Sequence, residues 1–271
     1  MSAKRKTVLP LLPVALIAIP ALIVVFALFK LARPSNQIVY AKVKVSQGLW
    51  WSVTSNPDTY FLRAIAKGDA EYGLLGAPDA QILAVRSYPA FDKNQPYDNK
   101  YDIYLTLKLA VNYNSKTQKY TFKRTSLVVG VPLEMETNKV QITGTVTEIS
   151  PQPFEDKYEE KVVYITKKFA YPWEYDAIKV GDTYFDGEET VFEVLAKNQR
   201  PTSALENDYY GNFNASTIDS VRYISVKARV KVLKRDSGIY FGEEKLLNSG
   251  SYFNLWTPNF NFQDFVVGQI Q

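Results

Sequence analysis

The chain has 271 residues with no cysteine and no histidine. This excludes a disulfide framework, thiol catalysis and Cys-ligated metal, and removes the commonest general base and metal ligand near neutral pH. Its net charge of +4 is not a nucleic-acid footprint: residues 1–33 hold five of the 32 Lys/Arg and no Asp or Glu, and without those five the remainder carries 27 basic against 28 acidic residues.

Residues 7–29, TVLPLLPVALIAIPALIVVFALF, are uncharged. As a helix they reach about 34 Å, at ~1.5 Å per residue, enough to cross a bilayer. Lys4, Arg5 and Lys6 precede this run; Lys30 and Arg33 follow it. A cleaved signal peptide would have a shorter apolar core, about 7–15 residues, and a small-x-small cleavage site. The length of the run and the position of Lys30 in FKLARP favour a retained anchor. Pro13 and Pro20 lie roughly on one face, which a membrane helix tolerates. Flanking charge is nearly tied between the two sides, and a short tail before a long globular portion favours an inside N-terminus with the rest outside the cytoplasm. Beyond the anchor, Trp50-Trp51 suit either the bilayer interface or packing within the following domain, the latter being favoured.

Two stretches share A-I-x-x-G-D: AIAKGDAEYG at 64–73 and AIKVGDTYFDG at 177–187. The turns Gly68-Asp69 and Gly181-Asp182 lie 113 residues apart. Glycine permits a sharp bend there, and the aspartate can bind nearby backbone amides. Short helices are expected just before each turn, at 57–65 and 172–178. Each turn leads into an apolar stretch, AQILAV (80–85) or VFEVLA (191–196). Strict alternation follows: Ile103, Leu105, Leu107, Leu109 and Val111, then Ile224, Val226, Ala228, Val230 and Val232. Period two over five apolar positions predicts half-buried strands. Both strands run into hairpin turns, NYNSKTQ and KRDSG, and both copies close on a glycine with further alternation.

The domain plan is therefore a tail and anchor at 1–34, a first β domain at 35–150 and a second at 151–271, both mainly β and barrel-like, with one strand order in both copies. FEDKYEEK (154–161) is expected to be a solvated hinge between them. The copies differ most at AFDKNQPYDNK (90–100) and NQRPTSALENDYYGNFNASTID (198–219). A weaker echo lies within each copy: apolar-x-x-Gly followed by a strand recurs about 62 residues after Gly68. This resembles the Gly-Asp box of cradle-loop barrels, in which two interlocked halves make one barrel.

The charged N-terminus, the single span, the I-x-x-G-D turn, YDIYLTLKL and VGVPLEMETNKVQITGTVTEI together resemble a bacterial family of single-span membrane proteins of unknown function. That family typically has one such domain, whereas here there are two, and the second closes on the degraded NSGSYFNLWT. The resemblance implies a bacterial envelope protein and supplies no catalytic residues; the expected location is the bacterial cytoplasmic membrane.

Candidate chemistry is sparse. DTYFDGEETVFE (182–193) places Asp182, Asp186, Gly187 and Glu193 at calcium-loop spacing, but Tyr184 breaks the ligand set and the flanks read as strands, so a turn feeding a strand is expected. Asp92, Asp98 and Asp102 share a loop that reads as a solvated turn. No nucleophile or phosphate-loop motif is present, and no cofactor or metal is expected. ENDYYGNFNAS (206–216) sets Tyr209, Tyr210 and Phe213 among small polar residues, the chemistry of adaptable recognition loops. The expected function is non-catalytic binding or scaffolding in the bacterial envelope. Its partners would be the membrane, through residues 7–29, and another envelope protein; glycan or small-ligand binding by aromatic loops is the alternative.

Overall fold

The computed structural model describes residues 36–46, 56–73, 76–91, 100–207 and 213–271. The expected anchor at 7–29, Trp50-Trp51, Asp92 and Asp98 lie outside these residues. Among the described residues no helix is long and apolar enough to cross a membrane.

The described chain forms two eight-stranded antiparallel sheets that curl into barrel-like bodies. The first contains β1 (Asn36–Ser46), β2 (Ala70–Tyr72), β3 (Pro78–Pro89), β4 (Tyr101–Asn114), β5 (Lys119–Phe122), β6 (Thr125–Leu127), β7 (Pro132–Glu136) and β8 (Gln141–Ser150). The second contains β9 (Tyr158–Ala170), β10 (Thr183–Phe185), β11 (Thr190–Asn207), β12 (Phe213–Arg235), β13 (Gly238–Phe241), β14 (Lys245–Leu246), β15 (Tyr252–Phe253) and β16 (Phe265–Ile270). Their orders are β2-β3-β4-β1-β8-β7 and β10-β11-β12-β9-β16-β15, with β5-β6 and β13-β14 appended to β4 and β12. Adding eight to each strand number turns one sheet into the other. The expected short helices are α1 (Thr59–Ala64) and α2 (Pro172–Ala177), each just ahead of a Gly-Asp turn.

All ten alternating apolar residues, Ile103 to Val111 and Ile224 to Val232, are buried. Successive strand side chains point to opposite faces, so these positions line one continuous interior. The irregularities recur as well. Leu83 and Leu195 are bulged out of register after Ile82 and Val194, and Thr147 and Gly268 bulge at matching points of β8 and β16. Bulges bend and twist a strand, which helps a sheet curl.

The apolar-x-x-Gly echo marks a turn that occurs four times. Gly68, Gly130, Gly181 and Gly250 have φ between 87° and 90°. Each donates its N–H to a strand carbonyl: Ile82, Val146, Val194 and Val267, at 2.9, 2.8, 2.8 and 2.7 Å. Each of those strand residues returns an N–H to the carbonyl of the residue after the glycine, at 2.9, 3.0, 2.9 and 2.9 Å. The aliphatic residue three before each glycine, Ile65, Leu127, Ile178 or Leu247, is buried. NSGSYF is thus the fourth instance of the turn, its geometry kept although its sequence drifts. In two of the four the next residue is Asp. Asp69 accepts from Ala66 N–H at 2.9 Å and Lys139 Nζ at 2.9 Å; Asp182 accepts from Lys179 N–H at 3.3 Å and Asn259 Nδ2 at 2.5 Å. Each aspartate thereby ties its turn to the loop following β7 or β15. Beside Asp69, Glu71 of β2 accepts the Glu136 N–H of β7 at 3.0 Å. The ends of the first sheet are thus joined by side chains.

A Cβ added at Gly68 or Gly181 would meet no atom within 4 Å, so alanine there faces backbone strain alone. Gly68→Ala and Gly181→Ala are expected to cost about 1–2 kcal/mol each, equal within error, as read by chemical denaturation. A difference above that range between them would show that the two turns are not equivalent.

Candidate functional site

The most concentrated buried chemistry lies where the two sheets meet. β2 is short and covers only the start of the β3 edge. Farther along, Val85 and Ser87 direct their N–H groups outward, and an uncovered edge is a hazard. β10 and the turn after it cover this edge. Ser87 N–H donates to the Asp186 carbonyl at 2.7 Å, Val85 N–H to Glu188 Oε1 at 3.2 Å, and the Tyr184 hydroxyl donates back to the Ser87 carbonyl at 2.9 Å.

At the centre is Asp186, fully buried. Its Oδ1 accepts the N–H groups of Glu188 and Glu189 at 2.9 and 3.0 Å; its Oδ2 accepts Arg86 Nη1 at 2.5 Å and the Tyr88 hydroxyl at 2.8 Å. Arg86 also donates to Glu189 at 2.9 Å, lies 3.8 Å from Glu243 and covers the Tyr158 ring at 4.5 Å. Lys231 pairs with the same Glu189, and the Tyr158 hydroxyl donates to Glu243 at 2.5 Å. Tyr88 and Tyr104 of the first sheet belong to the apolar core of the second, Tyr88 meeting Phe241 edge-on at 5.6 Å. Gly242 lets that ring approach: a Cβ there would sit 3.2 Å from it.

A second ring of charge surrounds this centre. Lys42, buried on β1, bonds Asp156 at 2.6 Å and lies 3.7 Å from Glu243 and 3.8 Å from Glu148. Lys44 pairs with Glu244 and with Asp102 at 3.2 Å. Lys42, Glu148, Glu243 and Glu244 border a cavity of about 280 Å³ between the sheets, lined also by Tyr104, Arg235, Ser237 and Tyr240. Burial raises the phenol pKa of Tyr88, Tyr104, Tyr158 and Tyr184, and nearby carboxylates add to it. Burial opposes the charge of Arg86, yet the surrounding Tyr158, Asp186 and Tyr88 leave its pKa raised. Lys245 is lowered by burial.

The calcium-spaced stretch is the expected turn feeding a strand, lying between β10 and β11, and it also clamps the sheets, with the Asp186 carboxylate occupied by four donors. Other sequence expectations are corrected here. FEDKYEEK is no free hinge: Asp156 holds Lys42, the Phe154 ring lies 5.1 Å from Lys42 Nζ, and Tyr158 stacks under Arg86. Asp102 is buried and paired, not solvated. The 206–216 segment is only partly a loop. Pro89↔Tyr101 and Pro201↔Arg222 are matching pairs; past the latter the second sheet continues from Thr202↔Ile218 to Asn207↔Phe213, so β11 and β12 extend as a hairpin arm. Phe213 opens β12, while Tyr209 and Tyr210 lie outside the described residues.

Sequence reasoning missed Arg86, Tyr88 and Glu243, and saw Asp186 only as part of a turn. Two signals were present. Arg86 interrupts an apolar run, AQILAVRSYPA, and DGEE stands in the second copy where the first has GLLGA. Comparison with known proteins finds no matching family model, no similar curated protein and no similar solved structure.

Two outcomes follow from this geometry. Arg86→Ala and Asp186→Ala should each destabilise by about 3–5 kcal/mol, the range for stranding a buried charge, with strong non-additivity in the double variant measured by urea unfolding. Additive losses would mean that the pair is not coupled. The raised phenols set a pH window. Their contribution is complete below the unfolded tyrosine pKa, near 10, and is lost as pH rises above it, because the unfolded state ionises first. Each should remove about 1.4 kcal/mol per pH unit in that window. Lys245 acts oppositely, favouring the fold as pH rises toward its unfolded value. Ultraviolet titration should show four tyrosines ionising only on unfolding; ionisation of every tyrosine in the folded protein would refute this.

Proposed function

We propose that this chain is a non-catalytic binding or scaffold protein of the bacterial envelope, anchored in the cytoplasmic membrane by residues 7–29 with its β domains outside the cytoplasm. The observation that carries the reading is the contrast between a welded body and an added arm. Asp186, Arg86, Tyr88, Tyr158 and Glu243 are engaged with one another across the two sheets, which suits a rigid platform. The second sheet then extends β11 and β12 by six residue pairs beyond the point where the β3–β4 ladder ends. At ~3.3 Å per residue this adds about 20 Å of ribbon. The finer reading of each sheet as a cradle-loop barrel draws on the four matching turns, two per sheet.

The arm suits recognition of another envelope protein. In sequence, Tyr209 and Tyr210 fall between its two strands, with Phe213 at the first paired position, and tyrosine supplies contact area at modest loss of side-chain freedom. Affinity capture from detergent-solubilised membranes, identified by mass spectrometry, would name the partner. Tyr209→Ala with Tyr210→Ala should then weaken its binding by about 2 kcal/mol if both are anchors, with unfolding unchanged. A folded double variant that binds the captured partner as tightly as the parent removes the arm from the function.

A further inference from the structure

We infer that the β4–β5 hairpin of the first sheet is a foot resting on anionic lipid headgroups, a proposal that rests on the anchored reading above. Residues 103–133 carry five cations, Lys108, Lys116, Lys119, Lys123 and Arg124, and no Asp or Glu. Two of these, Lys116 and Lys119, stand at the hairpin tip NSKTQK, and both are exposed. Among the described residues neither forms a salt bridge, whereas Lys123 is paired with Glu71. The matching hairpin of the second sheet is neutralised: Lys234 bonds Glu159 at 2.7 Å and Arg235 bonds Glu148 at 3.2 Å. The unpaired cations are therefore particular to the copy that adjoins the anchor.

The tip is also built and aimed. Asn114 Oδ1 accepts the N–H groups of Lys116 and Thr117 at 3.0 and 3.3 Å, and Gln118 takes a positive φ of 53° to close the turn. Directly behind it the half-buried rings of Tyr113 and Tyr120, cross-strand partners, lie 5.1 Å apart. Tyrosine beside lysine is the composition of the membrane–water boundary. Asn36, the first residue of β1, pairs with Asn112 of β4. β1 and β4 are antiparallel, so β4 continues past Asn112 in the direction from which the chain arrives.

Reach closes the argument. Residues 30–35 link the apolar run to β1, and six residues span at most about 21 Å. The tip extends beyond Asn36 by about 10 Å, at ~3.4 Å per strand residue. The headgroup layer occupies roughly a further 5–7 Å. Even a fully stretched link leaves the tip about 5 Å from the headgroups, within the ~8 Å Debye length of physiological salt.

The test uses the full chain in lipid nanodiscs of phosphatidylcholine, alone or with phosphatidylglycerol. Lysine acetylation is followed by mass spectrometry. In the anionic discs Lys116 and Lys119 should react about fivefold more slowly than in the neutral ones, the factor equivalent to roughly 1 kcal/mol per cation near an anionic surface. About 1 M salt should erase the difference, since the Debye length falls to ~3 Å. Lys139, in the β7–β8 turn at the far end of the same sheet, should react alike in all discs. Equal labelling of Lys116 and Lys119 in both lipids overturns the foot while leaving the anchor intact. Protection that survives high salt overturns headgroup charge as its cause. A chain that does not enter the discs overturns the anchored reading and the foot with it.

Discussion

The structure depends on a carboxylate shut away from bulk solvent. Asp186 is fully buried, and transferring an isolated carboxylate from water into a protein interior costs several kcal/mol even after relaxation. Its four donors offset that cost, and they come from two places. Glu188 and Glu189 supply backbone N–H groups from the same turn, while Arg86 and Tyr88 reach across from the other sheet. Separating the sheets would strand the charge and uncover the β3 edge together. A buried ion pair is weak as a source of net stability, and an apolar replacement can match it. Its effect here is to specify: one relative placement of the sheets satisfies the carboxylate, and the rings of Tyr88 and Phe241 supply apolar contact once that placement is reached.

Legibility followed locality. Period-two burial is a property of single strands, so all ten alternating residues were readable, and the glycine turns were readable because positive φ selects glycine. The helices ahead of the turns were also visible. Bulges were not, since an apolar run such as QILAV reads alike with or without Leu83 in register. The clamp was obscured for a different reason. Arg86 and Asp186 lie 100 residues apart, and each acquires meaning only through the other. The spacing of Asp186 to its near neighbours marks a turn, whereas the pairing that matters is set by how two sheets dock. The linker misled in the same way. A run of charges with two prolines reads as solvated hinge, yet Asp156 and Tyr158 are held by Lys42 and Arg86 from the first sheet.

Comparing the two copies separates what the fold requires from what each copy does. The strand order, the paired bulges, the four turns and their buried aliphatic residues recur, so they belong to the fold. DGEE, the β11–β12 extension and the unpaired tip lysines occur once each. The first difference joins the copies, and it does so at the strand edge that a single copy would leave open. A domain whose β3 edge is uncovered past Ile82 has a physical reason to acquire a neighbour, and the second copy supplies one from a turn whose counterpart in the first copy is uncharged.

A welded junction changes what the remaining two differences can do. Were the sheets joined by a free hinge, an arm on the second would sample a wide volume whatever held the first. With Lys42 tying Asp156, Arg86 locked against Asp186 and Tyr88 inside the neighbouring core, orientation of one sheet orients the other. On the anchored reading, a tether of six residues limits height and leaves rotation free, and a charged foot beside the tether removes part of that rotation. The arm is then presented at a restricted height and angle to the membrane plane. Such pre-organisation lowers the entropic cost of engaging a second membrane-bound protein. An ionic junction fits the same reading, since buried charge tolerates few alternative dockings.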